Sequence, residues 1–310
     1  MAKKVLVLGA YGGVGKSLIR NLLKYTEVEL ILAGRNLKAL EDLLIKLKAE
    51  FPARNISSYF ADASKKESLI FAFKNSDLVI NCSCTPEYII KIAEAALETE
   101  NDLIDILLRG DIVDKLENYR DKIKTNKRIF IIQAGFHPGI AAPLIKYAYN
   151  KFEELQTANV LMVMNSLFEN PQSTLEILHE VGENKAQILK NGIWKQATYK
   201  DAISVGFSKK YGNRICYPLQ MREIYPLSNE LRILNMGVYS AGFNLFVDNI
   251  VFPLIMISNA IYKGFGKSFY SKLMYWGVKR FYDNKPGIEL HLSAFGIKSG
   301  LAKNYLLKLK

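Results

Sequence analysis

Between Val5 and Leu23 the chain reads VLVLGAYGGVGKSLIRNLL. A short apolar, β-branched run ends on Gly9. A helical spacing of Leu18, Ile19, Leu22 and Leu23 begins soon after the glycines. A strand that stops on glycine, followed by a helix that starts on glycine, leaves a loop able to close on a phosphate. The helix N-terminus adds its free N–H groups and its positive dipole end. The glycines fit two spellings. Gly9, Gly12 and Gly15 read G-x-x-G-x-x-G; Gly9, Gly13 and Gly15 read G-x-x-x-G-x-G. In either, Gly9 makes the tight turn, Gly12 or Gly13 lets the backbone approach a pyrophosphate, and Gly15 lets the helix pack on the sheet. Tyr11 and Val14 complete the candidate loop.

The alternation continues. Val28–Ala33, Ser57–Ala61, DLVINCSC, DLIDI and RIFIIQAGF read as further strands, with amphipathic helical stretches between them. Strand–helix alternation implies parallel strands with crossover helices on both faces. The expected fold class is α/β, a Rossmann-type doubly wound parallel sheet followed by a smaller α+β domain. The expected boundaries are 1–140 for the nucleotide domain and 141–310 for the substrate or dimerisation domain. At 310 residues the chain has room for both.

In this fold the end of the second strand meets the adenosine ribose, where NAD-binding chains carry Asp or Glu. Here that strand ends ILAGRN, with Arg35 and Asn36 in place of a carboxylate. A guanidinium pairs with a 2′-phosphate and stacks on a base, so the expected cofactor is NADP rather than NAD. Asp62, in YFADAS, is read either as a partner for the adenine amino group or as a helix cap. Asn81 and Cys82 end the fourth strand, where the topology expects the nicotinamide ribose, and Pro86 can open the next helix.

Tyr147 and Lys151 in YAYNK have the Y-x-x-x-K spacing of short-chain dehydrogenases. No Ser or Thr stands in the dozen residues before them, and Tyr275 with Lys279 repeats the spacing elsewhere. The other spelling fits better. The loop, LAGRN, DLVINCSCTPEYIIKIAEAALETENDLIDI and IIQAGFHPGIAAPLIKYA together resemble the saccharopine dehydrogenase-like oxidoreductases over roughly residues 4–148. KNGIWKQAT and HLSAFGIKSG agree more loosely. The resemblance implies an NADP- or NAD-binding Rossmann domain and an α+β domain that shapes the substrate site and often dimerises. It also implies hydride exchange at the C–N bond of amino-acid adducts or related imines. Relatives commonly continue through a further strand and helix, so a shortened second domain is expected.

From Gln156 onward the alternation stops. TANVLMVMNSL reads as a strand and STLEILHEVG as a helix. LRILNMGVY and GIELHLSAFG alternate with period two, the pattern of a sheet buried on one side. That pattern puts Glu289 and His291 on the other face, where His291 is expected to be solvated or interfacial rather than catalytic. Asn191-Gly192 is a type I′ hairpin signal. His137, in AGFHPGI, is the candidate proton carrier, since ligands in doubly wound folds lie at the carboxyl ends of strands. Asp105 and Arg109 are weaker candidates. Two functions follow: an NADP-dependent oxidoreductase acting on a small imine or carbonyl, or an NADP-binding sensor or scaffold without turnover.

The net charge is +12, with 42 Lys+Arg against 30 Asp+Glu. No motif supports nucleic acid, and the three cysteines and three histidines have no metal-ligand spacing. The odd, sparse cysteine count expects a reducing compartment, the cytoplasm. FNLFVDNIVFPLIMI, from Phe243 to Ile257, is too short and too broken to span a bilayer. With the aromatic and basic stretch up to Tyr282, residues 243–282 are expected to form a homodimer interface or to contact an anionic membrane peripherally.

Overall fold

The computed structural model describes residues 3–107, 110–168, 174–175, 177–178, 186–262, 264–282 and 286–309. Arg109, His179 and most of STLEILHEVG lie outside the described residues. The chain divides into two compact units, Met1–Phe136 and His137–Lys310.

The first unit alternates as expected: β1 (Lys4–Leu8), α1 (Gly13–Tyr25), β2 (Glu29–Gly34), α2 (Leu37–Glu50), β3 (Ile56–Phe60), α3 (Lys66–Phe73) and β4 (Leu78–Asn81). A short 3₁₀ turn opened by Pro86 leads into α4 (Ile89–Glu98), then β5 (Asp102–Asp105), α5 (Gly110–Glu117), α6 (Arg120–Thr125) and β6 (Phe130–Ile131). The strand order is β3-β2-β1-β4-β5-β6, all parallel. This is the dinucleotide-binding order, and it reverses direction between β1 and β4. Both faces of β1 are covered. Leu6 and Leu8 pack with Ile31 and Val79 on one side, and Val5 and Val7 with Leu30 and Leu32 on the other. That is why the strand is apolar without alternation.

Strand β6 is shorter than the RIFIIQAGF run suggests. The chain leaves the sheet after Ile131, Gln133 adopts φ 56°, and the Ala134 N–H donates to the Asp105 carbonyl at 2.8 Å.

The second unit opens with α7 (Ala141–Tyr149). Its strands are β7 (Glu154–Asn165), β8 (Gln187–Lys190), β9 (Ile193–Gln196), β10 (Ile203–Gly206), β11 (Asn213–Pro218), β12 (Asn235–Ala241), β13 (Gly287–Lys298) and β14 (Leu301–Leu309). The described helices after α7 are α8 (Tyr225–Leu231), α9 (Phe252–Ile261) and α10 (Lys267–Arg280), with a π-helical turn, Val247–Val251, running into α9. The sheet runs β10-β11-β12-β7-β13-β14, with the β8–β9 hairpin attached to β12. Asn191 and Gly192, at φ 51° and 76°, form the expected hairpin turn. The last residues of the chain form β14, antiparallel to β13.

One expectation for this sheet is overturned. Glu289 and His291 do not face solvent; each is 1% exposed. Leu290 and Leu292 pack under α7, and the opposite face is covered too, by Phe207, Val205 and neighbours from β10 and the loop after it. The period-two pattern is real, but its polar positions are satisfied internally. His291 Nε2 lies 2.6 Å from Glu289 Oε1, and the Ser208 N–H donates to both carboxylate oxygens at 3.1 Å. Burial pushes the Glu289 carboxyl up, but the bonds from Ser208 and His291 outweigh it and hold the group below the ordinary carboxylate range.

Candidate nucleotide-binding site

The loop after β1 is built so that two of its glycines, Gly9 and Gly15, have no room for a side chain and a third, Gly12, has little. Gly9 has φ 81°, and a Cβ there would lie 2.8 Å from the Cys82 carbonyl carbon and the Ser83 nitrogen. A Cβ on Gly15 would lie 2.4 Å from the Gly9 carbonyl oxygen, and one on Gly12 3.2 Å from the same atom. Gly12 is also the N-cap of α1, with extended backbone. The close approaches therefore fall on Gly9, Gly12 and Gly15, the first of the two spellings. Gly13 is the exposed first residue of the helix.

The first intrahelical bond of α1 runs from the Lys16 N–H to the Gly12 carbonyl at 2.9 Å. The amides of Gly13, Val14 and Gly15 thus belong to the open N-terminal turn, where no acidic side chain competes for them. Val14 is exposed beside them. This is a place for an anion. Gly9 and Ala10 both donate to the Ala33 carbonyl, at 2.9 and 3.2 Å, which ties the loop to the end of β2.

Tyr11 reaches the same strand end. Its ring lies over Gly34, where a Cβ would meet the Tyr11 Cε1 at 2.5 Å, and its hydroxyl accepts from the Asn36 N–H at 3.2 Å. Asn36 caps α2, its Oδ1 accepting from the Ala39 N–H at 3.0 Å. Its side chain is therefore part of the turn, and only its amide nitrogen is left to face a ligand. Arg35 is exposed at this corner. Asp62 shares the corner electrostatically. Bonds from the Ser64 hydroxyl at 2.8 Å and amide at 3.0 Å, with help from the Arg35 charge, hold its carboxyl below the usual range. Asp62 shapes the turn before α3, whose own N-cap is Lys65.

At the end of β4, Asn81 is fully buried. Its amide donates to Asp105 Oδ2 at 2.6 Å, and its Oδ1 accepts from the Ser83 amide at 3.1 Å and hydroxyl at 2.6 Å. Burial pushes the Asp105 carboxyl up, opposed by the Asn81 and Leu107 N–H groups. Cys82 turns its thiol into the core, and burial drives that thiol up to about 12. A thiol so shifted stays protonated at neutral pH and is a poor nucleophile. What Cys82 presents to the glycine loop is its backbone.

In the second unit His137 is half-buried and is joined by a cis peptide bond to Pro138, in the turn before α7. Sequence reasoning found no companion for it. The structure brings an acid to the same turn: the buried Glu223 carboxyl lies by the Gly139 and Ala141 amides. Burial pushes Glu223 up, and those two amides only partly oppose it. The sole sequence signal was an acid set among apolar residues in MREIYPL. Tyr147 stands on the surface of α7, with the Lys151 ammonium 4.7 Å from its ring centroid and Tyr305 beside it.

No protein-family model matches the chain. Among solved structures, the yeast (Saccharomyces cerevisiae) saccharopine dehydrogenase that forms L-glutamate superposes with a TM-score of 0.67. The superposition covers 99% of this chain and 85% of that one, at 13% identity. The chain has the saccharopine dehydrogenase fold. Both units take part in the likeness, which shows a dinucleotide-binding architecture followed by a mixed sheet. A myo-inositol dehydrogenase from Corynebacterium glutamicum aligns over 98% of this chain and 75% of its own, with 13% identity and a TM-score of 0.48. Isoeugenol synthase 1 of Petunia hybrida is 27% identical over 100 residues, which are 32% of this chain and 31% of that protein. The chain thus spans about a third of the length of that curated relative.

Proposed function

We propose that the chain is an NADP-dependent oxidoreductase that moves hydride to or from a small imine or carbonyl substrate. The observation that carries this reading is the loop geometry. Gly9 and Gly15 lack room for a Cβ, Gly12 has little, and the three place the open N-terminus of α1 at the carboxyl end of β1. A pyrophosphate suits that turn, since backbone amides and the helix dipole both favour an anion. The saccharopine dehydrogenase fold supports a nicotinamide dinucleotide as its owner.

The preference for NADP rests on Arg35. It stands where β2 ends, the loop after that strand offers no carboxylate to the ribose hydroxyls, and Lys38 adds a further exposed cation nearby. A 2′-phosphate would take a charge-assisted contact from the guanidinium. Arg35, with the amide of Asn36 and the ring of Tyr11, would hold the adenosine end. The helix amides from Gly13 to Gly15 would hold the phosphates. Asn81, buried and held by Asp105 and Ser83, would set the position of the loop after β4 beside the nicotinamide ribose.

When bound, the nicotinamide supplies or accepts the hydride. The chain itself must then manage a proton. His137 suits that task because an imidazole changes charge near neutrality. Glu223, beside the Gly139 and Ala141 amides, would help to position the turn that carries it.

Fluorescence titration with NADPH and NADH, followed by NADPH oxidation assays against imine and carbonyl mixtures, tests the reading. Tighter NADPH binding and turnover that falls in His137→Ala with nucleotide affinity retained are expected. Binding with no oxidation of any mixture would leave a nucleotide-holding sensor or scaffold. Absence of binding would remove both functions.

A further inference from the structure

The helices of residues 243–282 carry their apolar side chains on the wrong face for a protein surrounded by water. Val247, Val251 and Ile255 form the inner stripe of the π-helical turn and α9, packed against Met274 and Val278 of α10. On the opposite stripe, Ile250, Leu254, Ile257 and Ile261 recur at helical spacing, and they are between 42% and 82% exposed. Apolar residues on both stripes mark a helix that does not end its packing at the protein surface.

Helix α10 continues the pattern with charge added. Phe269, Lys272, Trp276, Lys279 and Arg280 fall on one face at helical spacing, and all are exposed. The Trp276, Phe246 and Phe281 rings form a cluster with centroids 5.4–6.0 Å apart. From Phe243 to Tyr282 the sequence has one acid, Asp248. It is turned inward, accepting from the Phe243 N–H at 2.9 Å and pairing with Arg214 at 3.6 Å. Among the described residues of this stretch, the exposed face therefore combines large apolar groups and cations, with no outward carboxylate.

We propose that this face docks on an anionic lipid surface. A second copy of the chain is the competing occupant, and charge argues against it. In a two-fold interface the same patch meets itself, so the cationic patch of Lys267, Lys272, Lys279 and Arg280 would be brought against a second copy of itself, with no exposed acid among the described residues from Phe243 to Tyr282 to offset it. A bilayer of anionic lipids supplies the missing charge. It also takes up the Ile and Leu stripe, and it offers Trp276 the interfacial depth that an amphipathic ring prefers. Among the described residues no helix is long and apolar enough to cross a membrane. The helices lie on the lipid, their apolar stripe sunk to the boundary of headgroup and acyl chain.

The test is co-sedimentation of the full chain with vesicles of phosphatidylcholine alone and of phosphatidylcholine mixed equally with phosphatidylserine. Wild-type protein is expected to pellet with the mixed vesicles at low salt, to release as salt rises, and to stay in solution with phosphatidylcholine alone. Replacing Lys267, Lys272 and Lys279 by Glu should weaken partitioning about fivefold or more for each lysine. Ile257→Asp with Ile261→Asp should abolish it. All five side chains are exposed, so nucleotide binding should be unchanged in both variants. Failure of the wild type to pellet with phosphatidylserine at low salt overturns the proposal, and this arm needs no variant to fold. A solution dimer that Ile257→Asp splits, with no vesicle binding, overturns it too and assigns the face to a second copy. Equal binding by wild type and the triple charge reversal overturns the electrostatic part.

Discussion

The Asn81 side-chain amide donates to the Asp105 carboxylate at 2.6 Å, and both residues are fully buried. The bond joins the ends of β4 and β5, on one side of the switch point of the sheet. Asp105 also accepts from the Leu107 N–H at 2.9 Å. Burial raises this carboxyl while the two donors oppose the rise. A carboxyl whose folded pKa is raised favours the folded state at low pH, and that favour is lost as pH rises through the folded value. Asn81→Leu removes one opposing donor. The variant should lose about 1–3 kcal/mol at neutral pH and should recover part of it on acidification. Urea unfolding at neutral and mildly acidic pH checks this; an identical deficit at both would mean that Asp105 does not carry the effect.

Gly15→Ala tests the loop. The added methyl would meet the Gly9 carbonyl oxygen at 2.4 Å and the Ala10 carbonyl oxygen at 2.9 Å, both backbone atoms. Either α1 moves away from the sheet or the loop deforms. Overpacking of this kind costs about 1–3 kcal/mol, and dinucleotide affinity should fall together with stability. Full NADPH affinity in a folded Gly15→Ala protein would show that the loop is not the phosphate site.

These two sites show what the sequence makes legible. Gly9 and Gly15 stand out because a backbone carbonyl fills the space of a side chain, which only glycine permits. The parallel sheet was equally readable, because strands buried on both faces carry unbroken apolar runs. The end of β6 was not. Ile132 continues the apolar run of Phe130 and Ile131, and nothing local announces that Gln133 will turn to a positive φ. Glu223 was hidden for a different reason. Its partners, the Gly139 and Ala141 amides, lie far away in sequence, and backbone donors leave no trace in composition.

His291 shows the opposite failure. The period of GIELHLSAFG was read correctly, but period alone does not say whether the polar face meets water. Here Phe207 lies over the imidazole with ring centroids 4.8 Å apart, and Glu289 holds its Nε2. His291→Leu would keep the bulk and remove that bond, leaving a buried carboxylate held by Ser208 alone. A cost of about 1–3 kcal/mol is expected, with nucleotide binding unchanged because Glu289 and His291 belong to the second unit. Thermal unfolding read beside an NADPH titration separates the two effects, and a variant as stable as wild type would show that the pair contributes nothing net.

Arg35→Asp addresses cofactor choice. In the wild type the guanidinium is exposed at the end of β2, beside a turn whose Asn36 side chain already caps α2. A bound 2′-phosphate would meet Arg35 and the nearby Lys38, with Asp62 as the opposing charge. The contact is partly exposed and charge-assisted, worth about 1.5–3 kcal/mol, which is roughly ten- to a hundredfold in affinity. Aspartate reverses the sign: it would repel the phosphate and offer the ribose hydroxyls the acceptor that NAD-binding chains place there. NADPH affinity should therefore fall by at least that factor, while NADH affinity holds or improves. The effect should shrink as salt screens the exposed pair. Titration of both nucleotides against wild type and variant, at low and high salt, reads all of this at once. Tighter NADH than NADPH binding by the wild type would sink the assignment, whatever the variant does.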